Sequence, residues 1–257
     1  MKAKNYSMKN SKPEILIGYD LDIWKYANER IRVTAPFIPE SNRNTLIAGE
    51  SGGGKTYFTK QFMSRICLMN ETPEKIILCD YKREDGFRAF RETTNYYAYD
   101  KAVDGLEQFH KILVNRQNGI DQSRKPVYMI FDEYLACLLA LKMLDKKRFE
   151  KTMLMVTELL SIGRSMNLVT VIVTQTAMAS IFPEGSRLNF SNIIICGKAS
   201  SLYDILLPKE CVKTIGSRKF ETGEGVAYIH NELNFVKIPK IRDEKRMDDI
   251  IVEFLSK

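Results

Sequence analysis

The sequence predicts an α/β protein: a mainly parallel sheet covered by helices on both faces. Three observations predict it. Short, predominantly apolar runs at residues 45–48, 76–79, 127–131 and 168–173 are bounded by polar residues, as strands buried on both faces are. Between them lie segments with helical spacing, such as 102–116, where Val103, Leu106, Phe109, Leu113 and Val114 share one stripe. The junction after the first run reads Gly49-Glu50-Ser51-Gly52-Gly53-Gly54-Lys55-Thr56, the pattern G-x-x-x-x-G-K-[ST] between a strand and a helix.

The elements follow in order. Residues 1–13 are polar and basic without apolar period, which predicts a mobile N-terminal segment ahead of one domain over 14–257. Residues 14–18 and 31–38 read as strands around a charged segment whose Trp24 and Tyr26 are expected to pack. A helix is expected over 57–69 and a strand over 76–80 after Pro73. Strand 127–131 ends in Asp132-Glu133. Helices over 135–143 and 149–162 are expected, joined by a Lys-rich connection. Strand 168–173 ends in Thr174-Gln175. A strand at 193–196, a hairpin from 226–229 and 235–238, and a helix over 245–255 complete the chain.

The bulk numbers exclude several classes. The chain has 257 residues, 44% hydrophobic and 28% charged, an ordinary composition for a globular protein. No apolar run approaches the ~20 residues that span a bilayer, and no secretory signal opens the chain, so a cytoplasmic location is expected. Five scattered cysteines without a CxxC pair, and two histidines, argue against a zinc site or a disulfide framework. Lys and Arg exceed Asp and Glu by 39 to 32, which suits an anionic partner.

The chemistry follows from the glycine-rich junction. A phosphate chain wants many backbone N–H donors aimed at one point, and glycines let the backbone come close and turn sharply. The following helix adds free N–H groups and the positive end of its dipole. Gly49, Glu50, Ser51, Gly52, Gly53, Gly54, Lys55, Thr56 and Tyr57 are therefore the expected nucleotide-binding set. Lys55 reaches the outer phosphates, and Thr56 and Asp132 are the expected Mg2+ ligands. Glu133 is placed to orient and deprotonate an attacking water. Gln175, ending the next strand, is placed to sense the outermost phosphate. In ring-shaped motors a neighbour's arginine steadies the developing charge; Arg164 and Arg187 are the candidates here.

These residues resemble a family. Residues 15–18 and 46–49 with the phosphate loop resemble the opening of the FtsK/SpoIIIE–HerA group of DNA-pumping ATPases. Ile-Leu-Cys-Asp-Tyr-Lys at 77–82 is similar to their second strand, 130–134 to their acid strand, Gly163-Arg164-Ser165 with 171–175 to their next strand, and 221–226 to a later turn. The resemblance spans about residues 14–230. It implies a RecA-like (ASCE) P-loop core, ATP bound between subunits of a hexameric ring, and double-stranded DNA through the pore. It assigns Lys55 and Thr56 to phosphate and Mg2+, Asp132 to Mg2+, Glu133 to catalysis and Gln175 to sensing. Thr176-Ala177 stands where Arg-Pro is usual, Tyr81 where proline is usual, and Ile193 where an arginine is usual. The chain also lacks a membrane anchor and a winged-helix domain, which points to a coupling protein, plasmid-transfer ATPase or viral packaging ATPase. Such a motor would work with a membrane-anchored or portal-like partner protein.

Two other readings compete. One is a nucleotide-dependent switch that binds a protein partner and moves nothing. The other, a small-molecule kinase, lacks an Arg-rich lid, and Glu133 beside Asp132 suits water activation better. Basic segments at 82–83, 146–148 and 213–219 are the candidate DNA contacts.

Overall fold

Short apolar runs become strands and longer periodic runs become helices in the computed structural model. It describes residues 14–27, 29–38, 41–69, 72–175, 182 and 186–257, without the side chains of Ser186 and Arg187. The segment 1–13, expected to be mobile, lies outside them. β1 (Glu14–Asp20) and β2 (Arg32–Pro36) enclose helix α1 (Leu21–Tyr26). β3 (Thr45–Ala48) leads through the glycine-rich loop into α2 (Lys55–Cys67). β4 (Lys75–Asp80), β5 (Tyr96–Ala98) and α3 (Ala102–Gln117) follow. β6 (Val127–Asp132) runs into the helical pair α4 (Tyr134–Leu144) and α5 (Lys146–Ile162). Then come β7 (Leu168–Thr174), β8 (Asn192–Cys196), α6 (Ser200–Leu206), α7 (Lys209–Ile215), β9 (Glu224–Ile229), β10 (Glu232–Lys237) and α8 (Glu244–Leu255).

The strands form one sheet in the order β2-β1-β10-β9-β8-β3-β7-β6-β4-β5. The run from β8 to β5 is parallel throughout. The run from β8 to β2 is antiparallel, and its β9–β10 hairpin turns on His230 and Asn231, both at positive φ. The sheet is therefore mixed, with its parallel half carrying the glycine-rich loop. Alternation along the strands feeds two cores. Leu46, Ile77, Met129, Phe131 and Ile172 pack toward α3, α4 and α5 on one face. Ile47, Ile76, Leu78, Ile130 and Val171 pack toward α2 and α8 on the other. Helices thus cover both faces, as the sequence predicts.

Four expectations need correction. There is no Lys-rich connection between α4 and α5: Asp145 alone separates them, and its carboxylate accepts from Arg148 N (2.9 Å), so Lys146, Lys147 and Arg148 form the first turn of α5. Tyr26 does not pack but stands 86% exposed, whereas Trp24 lies 5.5 Å from the Tyr19 ring. Val114 is exposed although its stripe is buried. α6 and α7 were not foreseen, because seven residues each are too few to display a helical period. All five cysteines are free and buried, as expected, and burial pushes the thiols of Cys67, Cys137 and Cys196 up to about 12. No helix among the described residues is long and apolar enough to cross a membrane.

Arg116 is among the charged side chains buried within this frame. Arg116 donates to Asp121 Oδ2 (2.9 Å), Glu74 Oε2 (3.0 Å) and the carbonyls of Lys125 (3.0 Å) and Met166 (2.7 Å), which ties α3 to both loops at the N-terminal end of β6 and β7. Removing one partner of a buried ionic cluster leaves the others uncompensated. Arg116→Ala is expected to lower unfolding free energy by about 3 kcal/mol, read as a lower urea midpoint.

Candidate nucleotide and hydrolysis site

β3 lies between β7 and β8, so its end, Ala48, stands beside Thr174 and Ile195. The loop that follows folds down on the end of β8. A Cβ on Gly53 would come 2.7 Å from the Cys196 carbonyl oxygen, so only glycine permits this approach. Gly54 caps α2 at φ 95°, a conformation that side chains resist. The Glu50 carbonyl accepts from Gly53 N (3.1 Å) and from Lys55 Nζ (3.1 Å), so the buried lysine is already folded back over the loop. The first intrahelical bond runs from Phe58 N to Gly54 O (2.9 Å). The N–H groups of Lys55, Thr56 and Tyr57 precede it and remain free for an anion. Glu50, Ser51 and Gly52 form the exposed rim.

Two expected binding residues are turned in informative ways. The Tyr57 hydroxyl accepts from Ile241 N (2.5 Å), which ties the side chain to the segment before α8 and leaves the main-chain N–H as the Tyr57 group at the start of α2. Thr56 is lodged by its methyl, since a Cβ on Gly86 would come 2.6 Å from Thr56 Cγ2. The turn before β9 also reaches the loop, with Thr222 Oγ1 at 3.5 Å from the Gly52 carbonyl.

The acids arrive from β6, two strands from β3. Asp132 is buried and receives no side-chain hydrogen bond from the described residues. Desolvation, then the nearby Glu133, Asp80 and Glu84 carboxylates, push its carboxyl well above the usual range, against a pull from Lys55. Glu133 opens α4 in a left-handed conformation (φ 56°, ψ 40°), which costs about 1–2 kcal/mol for a non-glycine residue. Its Oε1 meets Gln175 Nε2 at 2.9 Å and Lys82 Nζ at 3.1 Å. β4 and β7 flank β6, so these two partners reach it from either side. Asp80, singled out as a strand-end acid, is instead fully buried and serves the backbone: it accepts from Tyr96 OH (2.7 Å) and Glu84 N (3.1 Å).

Thr56 and Asp132 offer hard oxygen donors, and no cluster of three or more His, Cys, Asp or Glu that could hold a metal occurs among the described residues. That sparse set fits Mg2+, which keeps most of its waters and takes one or two protein oxygens plus phosphate. Arg164 sits in the turn before β7, and seven residues of strand, roughly 23 Å, separate it from the Thr174 end. It cannot reach the loop of its own chain. The Arg187 side chain, Thr176 and Ala177 lie outside the described residues. Sequence reasoning missed Lys82 as a site residue, having placed it in the run similar to the family's second strand and among the basic segments.

No protein-family model matches the chain. Over 196 residues it is 26% identical to the FtsK domain-containing protein YdcQ of Bacillus subtilis (strain 168), covering 72% of this chain and 40% of that one. Its fold matches the pCW3 conjugation coupling protein TcpA, monomer form with ATPγS, at TM-score 0.69 and 16% identity over 97% of this chain and 72% of that chain. The chain is thus similar to proteins of the FtsK/HerA type. The cytoplasmic domain of the Thermomonospora curvata type VII secretion ATPase EccC also matches, at TM-score 0.66 and 14% identity over 97% of this chain and 32% of that chain. The chain spans less than half the length of YdcQ. It shares with TcpA and EccC the RecA-like P-loop fold.

The raised Asp132 carboxyl gives this domain a pH signature. A folded-state value above the unfolded ~3.9 means that stability falls as pH rises beyond that value. Asp132→Asn removes the buried charge. It is expected to stabilise the ligand-free domain at pH 8 by on the order of 1 kcal/mol, a Tm gain of about 2–4 °C. Thermal scans should show that gain vanish toward pH 4, and Mg-nucleotide should reverse the ranking by stabilising only the parent.

Proposed function

We propose that this domain binds Mg-ATP at residues 49–57 and hydrolyses it, and that hydrolysis drives double-stranded DNA through a homo-oligomeric, hexameric ring. The convergence of Lys55, Asp132, Glu133 and Gln175 on one sheet edge carries the reading. Lys55 and the free N–H groups of α2 bind the triphosphate. Thr56 and Asp132 hold the Mg2+, which supplies positive charge to the outer phosphate oxygens. Glu133 takes the proton of the attacking water, and Gln175 holds the carboxylate in place.

Other observations support the motor. TcpA, whose fold this chain shares, is a conjugation coupling protein, and YdcQ carries an FtsK domain. The net charge of +7 suits a polyanion. α4 and α5 leave Leu139, Met143, Leu144 and Leu154 exposed, which suits a chain that associates with copies of itself. Arg164, too far from its own loop, would act only on a neighbour's nucleotide, and Arg187 is the other candidate for that role. A membrane-anchored or portal-like partner would fix the ring in place and give translocation its direction.

ATP hydrolysis by the purified protein should rise several-fold with double-stranded DNA, and the effect should fade as salt is added. An absence of stimulation at every salt concentration, with a monomer or dimer by native mass spectrometry in ATP, would replace the motor with a nucleotide-dependent switch. Lys55→Ala should weaken nucleotide binding or stop turnover. Glu133→Gln should keep Mg-ATP bound while turnover drops by about 100-fold or more.

A further inference from the structure

Both partners of Glu133 grip the same oxygen. Lys82 Nζ and Gln175 Nε2 meet Oε1 at 3.1 and 2.9 Å, from the strands on either side of β6. A carboxylate held by one oxygen from two directions cannot rotate freely, and its second oxygen takes no side-chain hydrogen bond or ion pair from the described residues. We propose that Lys82 is a positioning residue for hydrolysis: it fixes Glu133 through Oε1 so that Oε2 is presented to the water. The proposal rests on the reading of Glu133 as the base.

The segment carrying Lys82 is built to hold it. The Asp80 carboxylate accepts from Glu84 N (3.1 Å), and the Asp80 carbonyl from Arg83 N (3.3 Å), closing a tight turn around Tyr81 and Lys82. Tyr96 OH fixes the other oxygen of Asp80 (2.7 Å). The Tyr81 ring lies 5.7 Å from that of Tyr99 at 21°, which pins the turn to the strand edge. Arg83 is left-handed at φ 55°, as Glu133 is at φ 56°. Non-glycine residues thus hold this strained conformation on both sides of one ion pair, and such strain gathers where geometry serves function.

Stability gives little reason for the arrangement. The Lys82 side chain is 40% exposed, and an ion pair with one exposed member adds little to folding. Glu133 is 7% exposed and already has an amide partner in Gln175. A lysine is a compact point charge on a flexible stem, so this one is anchored by its backbone turn rather than by its own shape.

The test compares Lys82→Met, Lys82→Arg and Glu133→Gln with the parent, measuring steady-state Mg-ATP hydrolysis, nucleotide affinity by calorimetry and thermal melting. Lys82→Met is expected to melt with the parent and to lower kcat tenfold or more, with KM and nucleotide affinity within twofold. Lys82→Arg, which keeps a cationic donor, is expected to recover part of that loss. A Lys82→Met rate at or above the parent's overturns the proposal, the latter by showing that lysine restrains the base. A parallel loss of affinity overturns it too, by making Lys82 a binding residue. In these cases an inactive Glu133→Gln beside an active parent leaves the base assignment standing. A Glu133→Gln protein that turns over at the parent rate removes the base assignment and this proposal together.

Discussion

The site depends on β3, β7, β6 and β4 lying side by side and pointing the same way. Parallel pairing brings the ends of four strands to one edge, and every residue proposed to touch phosphate, metal or water hangs from those ends. β3 delivers the loop and the start of α2, and β7 delivers Gln175. β6 delivers the two acids, and β4 the turn with Lys82. Parallel strands need crossover helices, and those helices bury both faces of the sheet. The strand ends therefore stay fixed to one another. The close approach of Gly53 to the Cys196 carbonyl extends the same edge to β8.

That edge concentrates charge at a thermodynamic cost. Asp132, Glu133, Asp80 and Glu84 crowd together, and burial adds to their mutual repulsion at Asp132. The compensating groups divide the labour. Lys55 bears on Asp132, Lys82 on Glu133, and Tyr96 on Asp80. Asp80 carries no chemistry of its own. Its two accepted hydrogen bonds hold the turn from which Lys82 reaches its carboxylate. Asp132, though buried, is left without a side-chain donor among the described residues, which is the state expected of a carboxylate kept for a cation.

Much of this was legible from the sequence, because the informative signals are local. A glycine-rich run between a strand and a helix, and acids after an apolar run, need only neighbours along the chain. Lys82 was not legible as a site residue, because its partner Glu133 is some fifty positions away and they meet only through the β4–β6 pairing. The same holds for Thr222, whose contact with Gly52 depends on β9 lying next to β8. Tyr26 was misjudged because six residues of α1 offer too short a helix to say which aromatic turns inward. Lys146–Arg148 read as a connection because their charge masked the cap at Asp145.

The proposed catalytic edge uses few side chains and much backbone. Its proposed phosphate donors are main-chain N–H groups, and the acids are set by where strands end. Such a site would specify triphosphate and water but says nothing about what is moved. The face that α4 and α5 present to solvent and the antiparallel strands from β9 to β2 lie outside that edge, so substitutions there leave the four strand ends undisturbed. The same fold occurs in the conjugation coupling protein TcpA and the type VII secretion ATPase EccC. On the proposed reading, the choice of cargo in this chain would reside in those outer surfaces, and its coupling to hydrolysis would pass through the strand ends that hold Glu133.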